Sequence, residues 1–143
     1  MAFENIELQV VTPERHVLQE TVNSVEIPGK EGYLGVLPGH APLITELGIG
    51  ILTYRNNAAT RYLTVIDGYA EVLPDRVIVL AEISERAEEI DVSRTRAALD
   101  RAKAEVARTS VTDPEWERAT LALQRALVRL QAAAKTGAAG AQE

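Results

Sequence analysis

Over the first 86 residues, apolar and polar side chains alternate with the period of a β-strand. Ile6, Leu8 and Val10 would share one strand face, with Glu7 and Gln9 on the other. Short apolar runs recur as NSVEIP, GIGILTY, RYLTVIDG, YAEVL and RVIVLAEI. Turn-forming pairs separate them: Pro28-Gly29, Pro38-Gly39, Asn56-Asn57, Asp67-Gly68 and Pro74-Asp75. Short strands with close turns predict an antiparallel β-sandwich or barrel of about eight to ten strands.

After Ser84 the composition changes to Ala, Arg, Glu and Leu, and the apolar period becomes helical. Asp91 is placed to cap a helix running from Val92 to Arg108. The stretch TSVTDPEWE interrupts the pattern. A second helix then starts either with Asp113 as cap and Pro114 at its first position, or from a Thr112–Glu115 capping box. It should run to Ala134 and stop at Gly137, before a disordered tail over 137–143. The apolar line is Val92, Leu99, Ala102 and Val106 on the first helix, and Trp116, Leu123, Leu127, Leu130 and Ala134 on the second. The expected organisation is a β-sandwich over 1–86 and an antiparallel helical hairpin over 87–136. Alanine at 98, 102 and 107 offers little apolar area. At roughly 25 cal/mol per Å2 buried, that predicts a weakly held hairpin.

Composition narrows the function. With 143 residues and 46% apolar content a real core is possible, but only 4% of residues are aromatic, so the core must be aliphatic. The absence of cysteine excludes disulfides, thiolate catalysis and cysteine-based metal sites. No apolar run reaches the ~18 residues of a membrane-spanning helix. A net charge of −6 argues against a general nucleic-acid binder, but residues 91–135 carry +3 and the remainder −9. An acidic body and a basic appendage imply two units with different partners.

Catalytic candidates are few. No glycine-rich phosphate loop is present, and the two histidines, His16 and His40, stand far apart. Glu88 and Glu89 read as a solvated acidic face. Arg94, Arg101 and Arg108 recur every seven residues and share a helix face, as do Arg118, Arg125 and Arg129. They form either a solvated surface or an anion-binding one, since guanidinium forks suit phosphates and carboxylates. In LPGHAPL, Pro38-Gly39 marks a turn and Pro42 pins the backbone after it; His40 reads as a residue hydrogen-bonded within that turn. A stand-alone β-sandwich ligand-binding module with a helical tail is the second reading, and scarce aromatics weigh against it.

The combination EGYLGVLPGHAPLITELGIG followed by DGYAEVLPDRVIVLAEISERAEEIDVSRTRAALDRA closely resembles the epsilon subunit of F-type ATP synthases, the counterpart of mitochondrial delta. The resemblance runs from about Phe3 to Ala134. It implies a β-sandwich bound to the gamma subunit and the membrane c-ring at the foot of the rotating central stalk. It further implies coupling of proton-driven ring rotation to ATP synthesis, with no catalysis by this subunit. Lys30, Glu31 and Gly32 become the ring-facing residues, with His40 in a scaffold turn beside the interface. In bacterial and chloroplast members the hairpin inhibits ATP hydrolysis by extending towards the alpha/beta subunits. Arg94, Arg96, Arg101, Arg108, Arg118, Arg125 and Arg129 are then candidates to meet the acidic segment of beta. Some members bind ATP as a regulatory ligand through an Ile/Leu-Asp-x-x-Arg-Ala pattern. Here it reads IDVSRT, with Thr95 in place of alanine, and the implied site is Glu85, Ile90, Asp91, Arg94, Arg101, Arg125 and Arg129. No cofactor is required and no metal is implied. The position is peripheral, at the cytoplasmic face of a bacterial plasma membrane in preference to a thylakoid.

Overall fold

A computed structural model describes residues 3–57 and 59–141, with side chains up to residue 137. The chain divides into two compact units, Met1–Ala87 and Glu88–Glu143.

The first unit is one seven-stranded sheet: β1 (Ile6–Val11), β2 (His16–Val22), β3 (Ser24–Gly29), β4 (Gly32–Val36), β5 (Leu43–Asn56), β6 (Ala59–Leu73) and β7 (Arg76–Arg86). The order is β2-β1-β7-β6-β5-β3-β4. All pairings are antiparallel except β1 with β7, which run parallel. Asn57, with φ 56°, and the Pro74-Asp75 pair turn the chain as their residue types predict.

The strands are fewer and longer than expected because Asp67-Gly68 is not a turn. RYLTVIDG and YAEVL form a single strand, β6, and LITEL joins GIGILTY in β5. The register is the same on both sides of Asp67, but the ladders to β5 and β7 skip Asp67 itself, which would face Gly48 and Glu82. Asp67 (φ 56°) and Gly68 (φ 122°) take left-handed backbone conformations there. A strand cannot stay flat through two such residues, so the sheet bends along the row Gly48–Asp67–Glu82 and folds into two layers. Gly68 is obligatory: a Cβ would lie 2.0 Å from the Leu80 carbonyl oxygen.

The layers enclose one aliphatic core, built from alternate positions such as Ile6, Leu8 and Val10 of β1, Leu63 and Val65 of β6, and Val77 and Val79 of β7. A bulge in β2 breaks the alternation, so that Val17 and Leu18 are both buried.

The second unit is a helical hairpin, α1 (Val92–Arg108) and α2 (Pro114–Ala141), preceded by a 3-10 turn at Ala87–Glu89. Asp91 caps α1, its carboxylate accepting the Arg94 N–H at 3.0 Å. Asp113 uses its carboxylate to accept the Ser110 N–H at 2.9 Å, closing the inter-helix turn. The Thr112 hydroxyl faces that of Ser110 at 3.2 Å.

The buried line differs from the expected one. On α1 it is Thr95, Leu99 and Ala102, while Val92 is exposed; on α2 it includes Ala119 and Ala126, while Leu127 and Ala134 are exposed. Small residues mark the seam because they let helix backbones approach closely, which an apolarity count overlooks. The stop expected at Gly137 does not occur. Helix-favouring alanines at 132–134, 138 and 139 outweigh a glycine penalty of about 1 kcal/mol. The last part of the expected tail, Gln142 and Glu143, lies outside the described residues.

Candidate interaction site

The row Val11–Leu80–Tyr69–Glu46 crosses four strands in register, and the next row is Gln9–Ile78–Glu71–Ile44. These positions alternate with the core residues Val10, Val79 and Ala70, so they occupy the opposite, outward face. Ile44 is 70% exposed, Tyr69 57% and Leu80 54%. With half-buried Ile78 and Val11 they form an apolar stripe. Exposed carboxylates border it: Glu46, Glu71, Glu82 and Asp67. The sequence signal was available in VIVLA, where strict alternation would place polar residues at 78 and 80 and Ile78 and Leu80 stand instead.

The predicted ring-facing turn lies at one end of this stripe. Gly29 pairs with Gly32 across Lys30 and Glu31, and Gly32 has φ 139°. The Lys30 N–H donates to the Glu46 carbonyl at 2.9 Å, and its ammonium meets the Glu46 carboxylate at 3.1 Å. That hydrogen bond and charge raise the Lys30 pKa.

His40 lies at the other end. Gly39 N–H donates to Pro74 O at 2.7 Å and His40 N–H to Leu37 O at 3.2 Å. His40 Nδ1 sits 2.7 Å from the Ala41 carbonyl oxygen, so Nδ1 carries the proton. The histidine is thus engaged within its own turn. Tyr69, beside Glu46, and Pro74 are separated by five residues of extended chain, roughly 17 Å. His40 and Lys30 are not brought together; they bracket the stripe. His16 is exposed at the start of β2, paired with Val11 at the margin of the same face. Among the described residues no cluster of three or more metal-ligating side chains occurs.

On the hairpin, Arg94, Arg96, Arg101, Arg108, Arg118 and Arg125 are exposed and Arg129 is half-buried. Arg108 is engaged with the Glu105 carboxylate, whose hydrogen bond and charge raise its pKa. Asp91 and Arg94 are joined through the cap. Thr95 is buried, and its hydroxyl donates to the Asp91 carbonyl at 2.8 Å. Ile90 is half-exposed beside the cap, whereas Glu85 is the penultimate residue of β7 in the other unit.

Residues 5–87 match the family model of the ATP synthase delta/epsilon chain β-sandwich domain, and residues 88–134 that of its long α-helix domain. An ATP synthase epsilon chain of Syntrophobacter fumaroxidans is 49% identical over 133 residues, covering 93% of this chain and 98% of its own. One from Solibacter usitatus is 48% identical, covering 92% and 98%. A chain in the cryo-EM structure of the Euglena gracilis mitochondrial ATP synthase (OSCP/F1/c-ring, rotational state 1) superposes with a TM-score of 0.79 at 26% identity. It covers 93% of this chain and 83% of that one. A chain from the Tetrahymena thermophila mitochondrial central stalk and c-ring shares the fold, with a TM-score of 0.60 at 13% identity, covering 93% and 99%.

Proposed function

Because the chain belongs to the delta/epsilon family of ATP synthase subunits through both of its units, we propose that it works as the epsilon-type rotor subunit of a proton-driven ATP synthase, joining gamma to the c-ring. It couples ring rotation to ATP synthesis in the catalytic head and performs no chemical step itself.

The observation that carries this reading is the apolar stripe Ile44–Ile78–Tyr69–Leu80, bracketed by the Lys30–Gly32 turn and the His40 loop. Apolar surface of this kind, rimmed by polar groups, marks a protein contact. Gamma takes the stripe; Lys30, Glu31 and Gly32 face the ring; His40 holds the adjoining turn. No described helix is long and apolar enough to cross a membrane, which fits attachment through the complex, at the cytoplasmic face of a bacterial plasma membrane. The test is reassembly of the complex with a Tyr69→Ser/Leu80→Ser chain. Loss of gamma binding and of proton-driven ATP synthesis, with the variant still folded, is expected. Wild-type assembly and synthesis would overturn the assignment.

The hairpin regulates. It alternates between compact and extended states, and the extended one inhibits hydrolysis as Arg94, Arg96, Arg101, Arg108, Arg118, Arg125 and Arg129 meet acidic groups of beta. The +3 charge of residues 91–135 supports this. Inhibition should weaken with salt, since exposed charges are screened over about 8 Å at physiological strength; inhibition insensitive to salt removes this mechanism.

ATP is the regulatory ligand of the compact state, held by Glu85, Ile90, Asp91, Arg94, Arg101, Arg125 and Arg129. Ligand binding to that state alone stabilises it by mass action. The Thr95 hydroxyl is tied to Asp91, so the departure from alanine adds bulk within the helix seam and leaves no free hydroxyl. Titration of the full chain with ATP, followed by NMR, decides; no shift at millimolar ATP removes the ligand.

A further inference from the structure

The bulge in β2 leaves Val17 without a partner in β1, because Val10 pairs with Leu18 and Val11 with His16. The Val17 carbonyl is used elsewhere. It accepts the Arg86 Nε–H at 3.1 Å and an Nη2–H at 3.0 Å. Arg86 is the last residue of β7, and the boundary between the two units falls one residue later.

The end of β7 is held to β6, where the Ser84 hydroxyl also donates to the Thr64 carbonyl at 2.7 Å, and has no ladder on its other side. β1 pairs with β7 only over residues 76–80, so residues 83–86 have a ladder partner on one side alone, β6. A strand end held by one ladder frays easily. A guanidinium placing two donors on one oxygen is charge-assisted and fixed in direction, and the Arg86 site is half-buried, where such bonds are less screened. Beyond it the chain enters the short 3-10 turn with Glu88 and Glu89 exposed, and order resumes at the Asp91 cap.

We propose that Arg86 is a clasp that ends the cooperative unit of the sandwich and confines the hinge of the hairpin switch to residues 87–91. This rests on the reading that the hairpin changes state. With the clasp closed, movement of the hairpin bends the short connector and leaves the Arg86–Leu63 pairing intact. Without it, the same movement peels β7 from β6, beginning at that pair.

Amide hydrogen exchange on the full-length wild type, Arg86→Gln and Arg86→Lys tests the clasp. In the wild type, residues 83–86 and 16–19 should exchange with the sandwich core, and protection should fall tenfold or more between Arg86 and Glu88. Arg86→Gln should speed exchange at 83–86 and 16–19 at least tenfold while Leu8 and Val79 keep wild-type rates, and Arg86→Lys, with an ammonium for the same oxygen, should fall between. Unchanged exchange at 83–86 in Arg86→Gln, or an equal loss throughout the sandwich, overturns the clasp. The switch is read separately, from the salt dependence of hydrolysis inhibition in the reassembled complex, so either idea can fail alone.

Discussion

Tyr33 accepts the backbone N–H of Ile51 on its phenolic oxygen at 3.1 Å, at the place where Pro28 interrupts the ladder between β3 and β5. Pro28 has no N–H to donate, and β3 skips from Glu26–Thr53 to Gly29–Leu47. The ring of Pro28 and the Tyr33 hydroxyl close on Gly50, where a Cβ would lie 2.6 Å from each. Removing the hydroxyl takes the partner from a part-buried amide. Tyr33→Phe is therefore expected to cost about 1 kcal/mol in urea unfolding.

Gly68→Ala should be far more damaging. The residue has φ 122°, and the added carbon would meet the Leu80 carbonyl oxygen. A loss of about 3 kcal/mol or more is expected. Gly35→Ala is the control: nothing lies within 4 Å of its Cβ position, and its effect should stay within about 0.5 kcal/mol. Thermal unfolding of the pair distinguishes backbone geometry from a general cost of losing glycine.

The carboxylates around the apolar stripe predict a basic rim on the partner. Glu71 sits between Ile78 and Ile44 in one cross-strand row. Glu71→Lys should slow association with the proposed partner, gamma, severalfold at low salt, with the difference fading by about 0.5 M salt. Stopped-flow binding at several ionic strengths measures it.

Lys30 should hold its proton to higher pH than an ordinary lysine, because Glu46 bonds to it and sits beside it as a negative charge. The pair's contribution is complete at neutral pH and disappears as pH rises through the raised lysine value. Both groups are exposed, so the effect on stability is small. A 15N titration should show the value fall in Glu46→Gln.

Much of this was legible from periodicity. Alternation located the core at Ile6, Leu8 and Val10, and the Asp91 cap followed from residue type alone. Asp67-Gly68 misled because the same two residue types serve a hairpin turn and a left-handed bend inside a strand; only the partner strands decide between them. Thr95 and Ala126 stand off the apolar line that periodicity predicts because a helix seam selects for small size as well as apolarity. The stripe at Tyr69 and Leu80 shows in the sequence only as the break in alternation at VIVLA, and a count of apolar residues takes both for core.

The bend at Gly48–Asp67–Glu82 also sets how load travels. β5, β6 and β7 each pass through it unbroken, so the two layers share three covalent backbones as well as a common core. Sliding one layer over the other along the strands would require stretching those backbones or shearing their ladders. The sandwich is thus stiff to torque applied across its sheet layers, a property written into where the strands do not end.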